Sequence, residues 1–218
     1  MSISKNTYTD QVMAFIYDTI LKGKLKPGDR ISETWLSETL NISRAPIREA
    51  LRLLGRDGLV EYRPQVGNFV AWLSARQITE AYITRGALEG FAAACGVDLF
   101  DDRDFAKLDK FVVRMVEAAT AGHHVLLTSI DTQFHDYILA KCENSRLIEL
   151  TRTISTLLHL LFCRYWTKVY TPEQVRFRHQ HIVDTLRQRD RLAAEMCLRE
   201  HYRQTGEYMS ELGSDKRE

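Results

Sequence analysis

Three histidines and one aspartate in the second half of this 218-residue sequence are spaced so that they could bind a metal ion. Asp131 and His135 are four residues apart, so a helix would place both side chains on one face. His179 and His201 each lie eleven residues from a predicted turn near Asp190, so an antiparallel helical hairpin would bring both rings to the same height. Three imidazoles and one carboxylate suit zinc, nickel, manganese or iron rather than calcium. The spacing indicates a transition-metal site, with an ordinary core or surface role for each histidine as the alternative.

Four arginines follow one another at intervals of four in the stretch NISRAPIREALRLLGRDGL, residues 41–59. Like charges at this spacing are neighbours on a helix and disfavour it by roughly 0.2–0.5 kcal/mol per pair. The formal net charge of the chain is only +1, so the row does not reflect a general excess of basic residues. Because the row becomes favourable against phosphates and guanine edges, it predicts a helix that binds double-stranded DNA.

The four arginines are not expected to act alike. Arg44 and Arg48 lie nearest the N-terminus of the predicted helix and are candidates for contacts with bases or with the first phosphate. Arg52 lies further back, where a phosphate contact or pairing within the chain is expected. For Arg56, pairing with the adjacent Asp57 is favoured over a contact with DNA.

The segments before the arginine row predict two more helices. Apolar residues at helical spacing indicate a helix over 8–21, and a Lys-Pro-Gly-Asp turn follows it. Ser32 is placed to cap a short helix, ETWLSETL, and Ser43 to cap the arginine helix. A turn of about three residues joins these two helices, which is the layout of a helix-turn-helix.

Two strand-like segments follow the arginine helix. LVEY (59–62) and NFVAW (68–72) predict a β-hairpin, in which Gly67 permits a tight turn or a close approach to DNA. A hairpin after a helix-turn-helix is a wing, so residues 1–75 are predicted to form a winged helix-turn-helix domain.

Residues 76–218 show helical periods with almost no strand signal. They predict an all-α bundle, so the whole chain is expected to be mainly α. The predicted helices span roughly 76–95, 103–120, 124–141, 146–169, 172–188 and 190–211.

Composition indicates a folded protein of the cytoplasm. Hydrophobic residues make up 44% of the chain and charged residues 27%, and no apolar run approaches the length of a membrane span. The N-terminus lacks the apolar core of a signal peptide. No CxxC pair occurs, so reduced, buried structural thiols are expected at the four cysteines: Cys95, Cys142, Cys163 and Cys197.

The run KLKPGDRISETWLSETLNISRAPIREALRLLGRDGLVEYRPQVGNFV resembles the winged helix-turn-helix of GntR-type bacterial transcription regulators. The shared pattern is a Pro-Gly turn, SR-x-P-[VI]-REAL-x-x-L, a Gly-Leu step and a glycine in the wing. The resemblance implies contacts with operator DNA at Ser43, Arg44, Arg48 and Gly67. Some members of the family have a basic residue in the first helix where this sequence has Thr34.

The later segments resemble the FCD-type effector domain of the FadR branch of that family. They are R-x-x-LE (85–89), D-x-x-FH (131–135), EN (143–144), H-x-x-I-x-x-x-L (179–186) and D-x-x-AA-x-M-x-x-x-x-H (190–201). The resemblance implies a divalent metal, zinc before nickel, manganese or iron. It also implies a small carboxylate or hydroxyacid effector beside the metal, and a homodimer. The implied metal ligands are Asp131, His135, His179 and His201.

Two residues are candidates for contacts with the effector. Arg85 lies four residues before Glu89, so it either clamps a carboxylate or pairs with that glutamate. Asn144 either contacts the ligand or, as we favour, caps the following helix. His159 is expected in the core or at an interface. The nearby aromatic residues Phe162, Tyr165, Trp166 and Tyr170 are expected to divide between core and pocket wall.

The sequence therefore predicts a one-component transcription regulator rather than an enzyme. A dimer would place two winged helices on operator DNA, and the effector would change operator affinity. Two alternatives stay open. The Asp and His residues could activate water in a metal-dependent hydrolase or lyase with an accessory DNA-binding head, although no general base is evident beside them. The metal could also be purely structural.

Overall fold

The computed structural model describes residues 7–154, 158 and 170–213 of the chain. These residues form two compact units, Met1–Trp72 and Leu73–Glu218. The second part of the helix predicted over 146–169 lies outside the described residues. That part includes four residues singled out above: His159, Phe162, Tyr165 and Trp166, together with Cys163.

The first unit contains three helices: α1 (Tyr8–Leu21), α2 (Glu33–Leu40) and α3 (Arg44–Arg56). Polar side chains cap the first two helices: Thr7 Oγ1 accepts from Asp10 N at 3.1 Å, and the side chain of Ser32 accepts from Trp35 N at 3.2 Å. Ser43 precedes α3 as predicted, but its side chain forms no such bond. Asn41 is left-handed, with φ of 53°, and ends α2. The apolar positions of α3 face inward as their spacing predicts, because Ile47, Ala50, Leu51 and Leu54 are all buried.

A three-stranded antiparallel sheet completes the first unit. The predicted hairpin consists of β2 (Val60–Arg63) and β3 (Gly67–Val70), and β1 (Arg30–Ile31) pairs with the other edge of β3. The strand β1 was not predicted, because two residues are too short to show an alternating pattern. The prediction of a mainly α chain with an N-terminal winged helix-turn-helix is confirmed.

The second unit is all-α in its described part. Its elements are α4 (Ala75–Gly96), a 3₁₀ turn (Val97–Leu99), α5 (Asp102–Thr120), α6 (His124–Ala140), α7 over 145–154, α8 (Pro172–Arg187) and α9 (Arg191–Gly213). Helix α4 packs mainly on α9, and α5 packs on α6 and α8. The predicted helical bundle is therefore confirmed over the described residues.

Glycines allow α4 and α9 to approach closely. A Cβ added to Gly90 would lie 2.7 Å from the backbone oxygen of Glu195, and one added to Gly206 would lie 2.7 Å from Tyr82 Cβ. A larger side chain at either position would push the two helices apart. This close packing brings α4 next to the residues of α9 that are predicted to bind a metal.

The cysteines do not all lie where the composition suggested. Cys95 is exposed near the end of α4, so the prediction that it is a buried thiol is wrong. Cys142 and Cys197 are half-buried. The error arises because helical periodicity at Cys95 does not reveal which face of α4 is covered. Among the helices described, none is long and apolar enough to cross a membrane.

Candidate functional site

Three histidines from three helices converge in the second unit. His135 of α6, His179 of α8 and His201 of α9 each offer a nitrogen, and these atoms all lie within 4.8 Å of one another. The α8–α9 hairpin places the rings of His179 and His201 with centroids 5.2 Å apart. Asp131 lies beside them, with its Oδ1 3.0 Å from His179 Nε2. The structure thus brings together the four residues predicted from their spacing.

Hydrogen bonding at His179 tests whether this group fits a metal ion. His179 Nδ1 lies 2.8 Å from the backbone oxygen of Val175, which can only accept, so Nδ1 carries the proton. In the neutral ring Nε2 is then an acceptor, yet it faces a carboxylate oxygen of Asp131 at 3.0 Å. Two acceptors at this distance repel each other unless a proton or a cation lies between them. The donor set therefore fits a divalent transition metal.

A buried carboxylate orients His135 in the same way. Its Nδ1 lies 3.0 Å from Glu89 Oε2, while its Nε2 is 3.8 Å from Asp131 Oδ1. An ionised carboxylate can only accept, so Nδ1 donates to Glu89 and Nε2 is presented to Asp131. Outer carboxylates of this kind fix the tautomer of metal-binding histidines and increase their basicity.

Glu89 also connects α4 to α9. Its Oε1 accepts from Arg85 Nε at 2.7 Å, and its Oε2 accepts from the Tyr202 hydroxyl at 2.7 Å. The side chains of Arg85 and Glu89 are only 4% and 2% exposed. Burial by itself would raise the pKa of Glu89, but the charge of Arg85 and the hydrogen bonds from His135 and Arg85 outweigh it and lower the pKa to about 2. Glu89 is therefore ionised in the folded protein.

The surroundings of His201 keep its ring neutral. Burial and then the positive charge of Arg178 lower the pKa of His201 well below its ordinary value, and the neighbouring imidazoles add to the effect. A neutral imidazole is the form that donates a lone pair to a metal. His201 is thus suited to supply the third nitrogen.

The histidines line a small cavity. Its volume is about 20 Å³, which is enough for an ion or a single water molecule. The walls come from α4, α6, α8 and α9, with contributions from two further positions. The lining residues are Tyr82, Arg85, Asp131, His135, Leu158, Tyr170, Arg178, His179, His201, Tyr202 and Thr205.

The two predicted effector residues occupy different environments. Arg85 lines the cavity, and of its two predicted roles the ion pair with Glu89 is present. Asn144 does not line the cavity, and its Oδ1 accepts a hydrogen bond from Leu147 N at 3.0 Å as a cap of α7. The favoured capping role of Asn144 is therefore observed, and a contact of either residue with a ligand stays a prediction.

The first unit exposes the arginine row of α3. Arg48, Arg52 and Arg56 have side chains that are 63%, 68% and 72% exposed. Arg44 is exposed at the first position of the helix, and the Ser43 side chain makes no hydrogen bond to the helix N-terminus. The second helix of the helix-turn-helix therefore presents a positively charged, accessible face.

Acidic side chains form ion pairs with three of these arginines. Glu33 Oε2 of α2 lies 2.8 Å from Arg48 Nε. Arg52 donates twice to Glu49, at 3.0 and 2.7 Å, and Arg56 lies 3.6 Å from its neighbour Asp57. Pairing of Arg52 and Arg56 within the chain agrees with expectation, whereas the contact between Arg48 and Glu33 was not foreseen. Exposed ion pairs of this kind are weak, so phosphates can displace them.

The three-stranded sheet adds two more basic side chains. Gly67 has φ of +126°, a conformation that side chains rarely adopt, and a Cβ there would lie 3.4 Å from Arg30 Nε. Arg63 places its guanidinium carbon 4.4 Å from the centre of the Phe69 ring. Arg30 was missed because it lies in β1, which the sequence did not reveal.

Two residues around the metal-ligand group were not predicted from the sequence. Tyr202 follows His201, and Arg178 precedes His179, so each is adjacent in sequence to a predicted ligand. For Arg178 a signal exists, since no acidic residue stands three or four positions away to pair with it on the helix. For Tyr202 nothing local indicates its bond to Glu89.

Comparison with known proteins gives matches along nearly the whole chain. Residues 60–204 match the FCD domain, and residues 8–70 match the gntR family of bacterial regulatory proteins. The uncharacterized HTH-type transcriptional regulator YdhC of Bacillus subtilis is 28% identical over 202 residues, which cover 91% of this chain and 89% of that protein.

Solved structures show the same fold. A structure described as a transcriptional regulator GntR from Rhodococcus sp. RHA1 is 26% identical, with a TM-score of 0.76, and the match covers 95% of this chain and 99% of that one. Escherichia coli McbR/YncC, at 22% identity, has a TM-score of 0.78 over 94% of this chain and 98% of that one.

Proposed function

The chain belongs to the GntR family of transcriptional regulators that carry an FCD domain, and from that membership we propose how it works. It binds operator DNA as a homodimer through α3 and the wing of each subunit. A small carboxylate or hydroxyacid binds beside a divalent transition metal in the second unit and changes the affinity for DNA. It is a regulator and not an enzyme.

The exposed arginines of α3 carry this proposal. Arg44 and Arg48 stand in the first part of the helix, which is the part that reaches base edges when a helix-turn-helix enters the major groove. Arg52 contacts phosphate, Ser43 offers a hydroxyl at the helix N-terminus, and Gly67 lets the wing backbone approach the duplex. A two-fold dimer matches a pseudo-palindromic operator.

The metal part of the proposal rests on the opposed acceptors of His179 and Asp131. His135, His179 and His201 supply nitrogens, and Asp131 supplies a carboxylate oxygen. When bound, the metal would act as a Lewis acid that attracts a carboxylate. Zinc suits this set best, with nickel, manganese or iron as alternatives.

A purely structural metal is the second candidate, and the small size of the cavity favours it. About 20 Å³ holds an ion but no organic acid unless side chains move. A metal-dependent hydrolase or lyase has less support. Of the neighbouring acids, Glu89 is engaged with Arg85, His135 and Tyr202, and Asp136 lies 3.5 Å from Arg152.

Operator binding is tested with the full chain and a DNA sequence selected from a random library. We expect Arg48→Ala to weaken binding of the selected duplex by about 5- to 150-fold at constant salt, as loss of a base contact does. Fluorescence anisotropy measures the affinity. The matched control is Arg76→Ala, which removes an exposed arginine from α4 of the second unit.

Equal affinity of wild-type and Arg48→Ala protein would refute the assignment of α3. A separate thermal-shift series with and without EDTA decides between a sensory and a structural metal. Stabilisation by an acid that EDTA abolishes supports the sensor, whereas destabilisation by EDTA with no response to any acid supports the structural role.

A further inference from the structure

A second arginine lines the cavity, and neither the DNA contacts nor the metal ligands account for it. Arg178 lies on α8 directly before His179 and is half-buried. Its guanidinium carbon lies 4.3 Å from the centre of the Tyr170 ring. Stacking on this ring and the bonds described below hold the side chain against the same cavity as the candidate metal ligands.

The hydrogen-bond partners of Arg178 are all neutral. Its Nη2 donates to the backbone oxygen of His201 at 2.7 Å and to Thr205 Oγ1 at 2.9 Å, and its Nη1 donates to Gln204 Oε1. Among the described residues, no carboxylate lies within ion-pair distance of Arg178, and the charges of Asp131 and Glu200 act on it only from further away.

Arg85, on the opposite wall, differs in this respect. Its charge is balanced by the buried carboxylate of Glu89 at 2.7 Å. A half-buried cation without such a partner is electrostatically costly, so Arg178 favours an anion. A guanidinium has five N–H donors, and the three bonds above leave two for a ligand.

We propose that Arg178 is the anion-binding residue of this cavity and that it binds a carboxylate of the effector. This inference rests on the proposed effector site, and it assigns recognition of the ligand's charge to Arg178 instead of Arg85. A cavity of about 20 Å³ admits an acid beside the metal only if side chains move, which favours a short acid. The class that fits is a 2-hydroxy acid or a short dicarboxylate, with one carboxylate on Arg178 and a second oxygen available to the metal.

Isothermal titration of the full-length, zinc-loaded protein tests the proposal. The probes are lactate and malate, and lactamide serves as an uncharged analogue of lactate. Wild-type protein should bind at least one of the two acids and not lactamide. Arg178→Gln, which keeps hydrogen-bonding groups but removes the charge, should weaken binding of the acid by about 10- to 100-fold.

Two further variants serve as comparisons for Arg178→Gln. Arg178→Lys keeps the charge without the planar fork and should retain part of the affinity. Arg76→Gln makes the same chemical change at an exposed arginine that pairs with Glu80 at 2.8 Å, and it should bind as wild type does. Equal acid affinity in Arg178→Gln and wild type would overturn the proposal, and so would the absence of binding of either acid to wild-type protein at millimolar concentration.

A measurement of zinc affinity shows whether Arg178 contacts the acid directly or only supports the histidines that bind the metal. Competition with a chromophoric chelator should give similar zinc affinities for wild type and Arg178→Gln. If zinc affinity falls in parallel with acid affinity, Arg178 supports His179 and His201 and the proposal fails. Anisotropy with the selected operator measures DNA binding independently, so loss of operator recognition would refute the regulatory function and leave the anion site standing.

Discussion

Replacing Glu89 with leucine should strongly destabilise the second unit, because it leaves a buried cation without a partner. Arg85 is 4% exposed, and both His135 and Tyr202 lose their acceptor. Breaking a buried ion pair costs about 3–5 kcal/mol.

The assay is thermal denaturation followed by far-ultraviolet circular dichroism, with EDTA present so that no metal contributes. For a chain of this size each kcal/mol lowers the Tm by about 2–4 °C, so we expect Glu89→Leu to melt about 6–20 °C lower. The double variant Arg85→Met/Glu89→Leu should melt higher than Glu89→Leu, because it also removes the unpaired charge.

The matched control is Glu80→Leu, which breaks the exposed pair with Arg76 at the same helical spacing. It should leave the Tm unchanged within error, because both partners stay hydrated when separated. The reasoning fails if Glu89→Leu lowers the Tm no more than Glu80→Leu does. It also fails if the double variant melts lower than Glu89→Leu.

Four other changes have definite expected outcomes. Gln65 in the wing has φ of 63°, a left-handed backbone conformation that is strained for any residue with a Cβ. Gln65→Gly should therefore raise the free energy of unfolding in urea by about 1 kcal/mol. An unchanged urea midpoint would show that the backbone at Gln65 is not strained. Gly90→Ala should destabilise by about 1–3 kcal/mol because its Cβ would lie 2.7 Å from Glu195 O. Gly55→Ala, with a nearest contact of 3.5 Å, should be neutral or slightly stabilising in the same urea assay. Because folding lowers the pKa of Glu89 to about 2, the stabilisation from its charge is complete above about pH 4.5 and disappears as the pH falls toward 2. The difference in urea midpoint between wild type and Glu89→Gln should therefore shrink over that range, and a constant difference would show that the charge is not responsible.

Helices were the most predictable part of this fold, because their signals are local. Thr171 caps α8 directly before Pro172, and both residues are recognisable from sequence. The apolar spacing of Ile47, Leu51 and Leu54 identified the buried face of α3 without knowledge of its neighbours. The strand β1 was not predictable, since Arg30 and Ile31 become a strand only by pairing with Phe69 and Asn68.

The sequence by itself determined which residues could meet around a metal. Asp131 and His135 share a helix face, and the α8–α9 turn lies midway between His179 and His201, so helical geometry alone aligns them. The same holds for the arginine row of α3, whose accessibility follows from the position of the apolar stripe.

Only the tertiary structure decided which charged side chains around the histidine group have a counter-ion. Glu89 and Tyr202 are 113 residues apart and meet because small residues allow α4 to pack closely on α9. That packing gives Arg85 a buried counter-ion and surrounds Arg178 with neutral acceptors. The local spacing shows that Arg85 has an acid four residues away and that Arg178 has none, but burial and the shared cavity depend on contacts between distant segments.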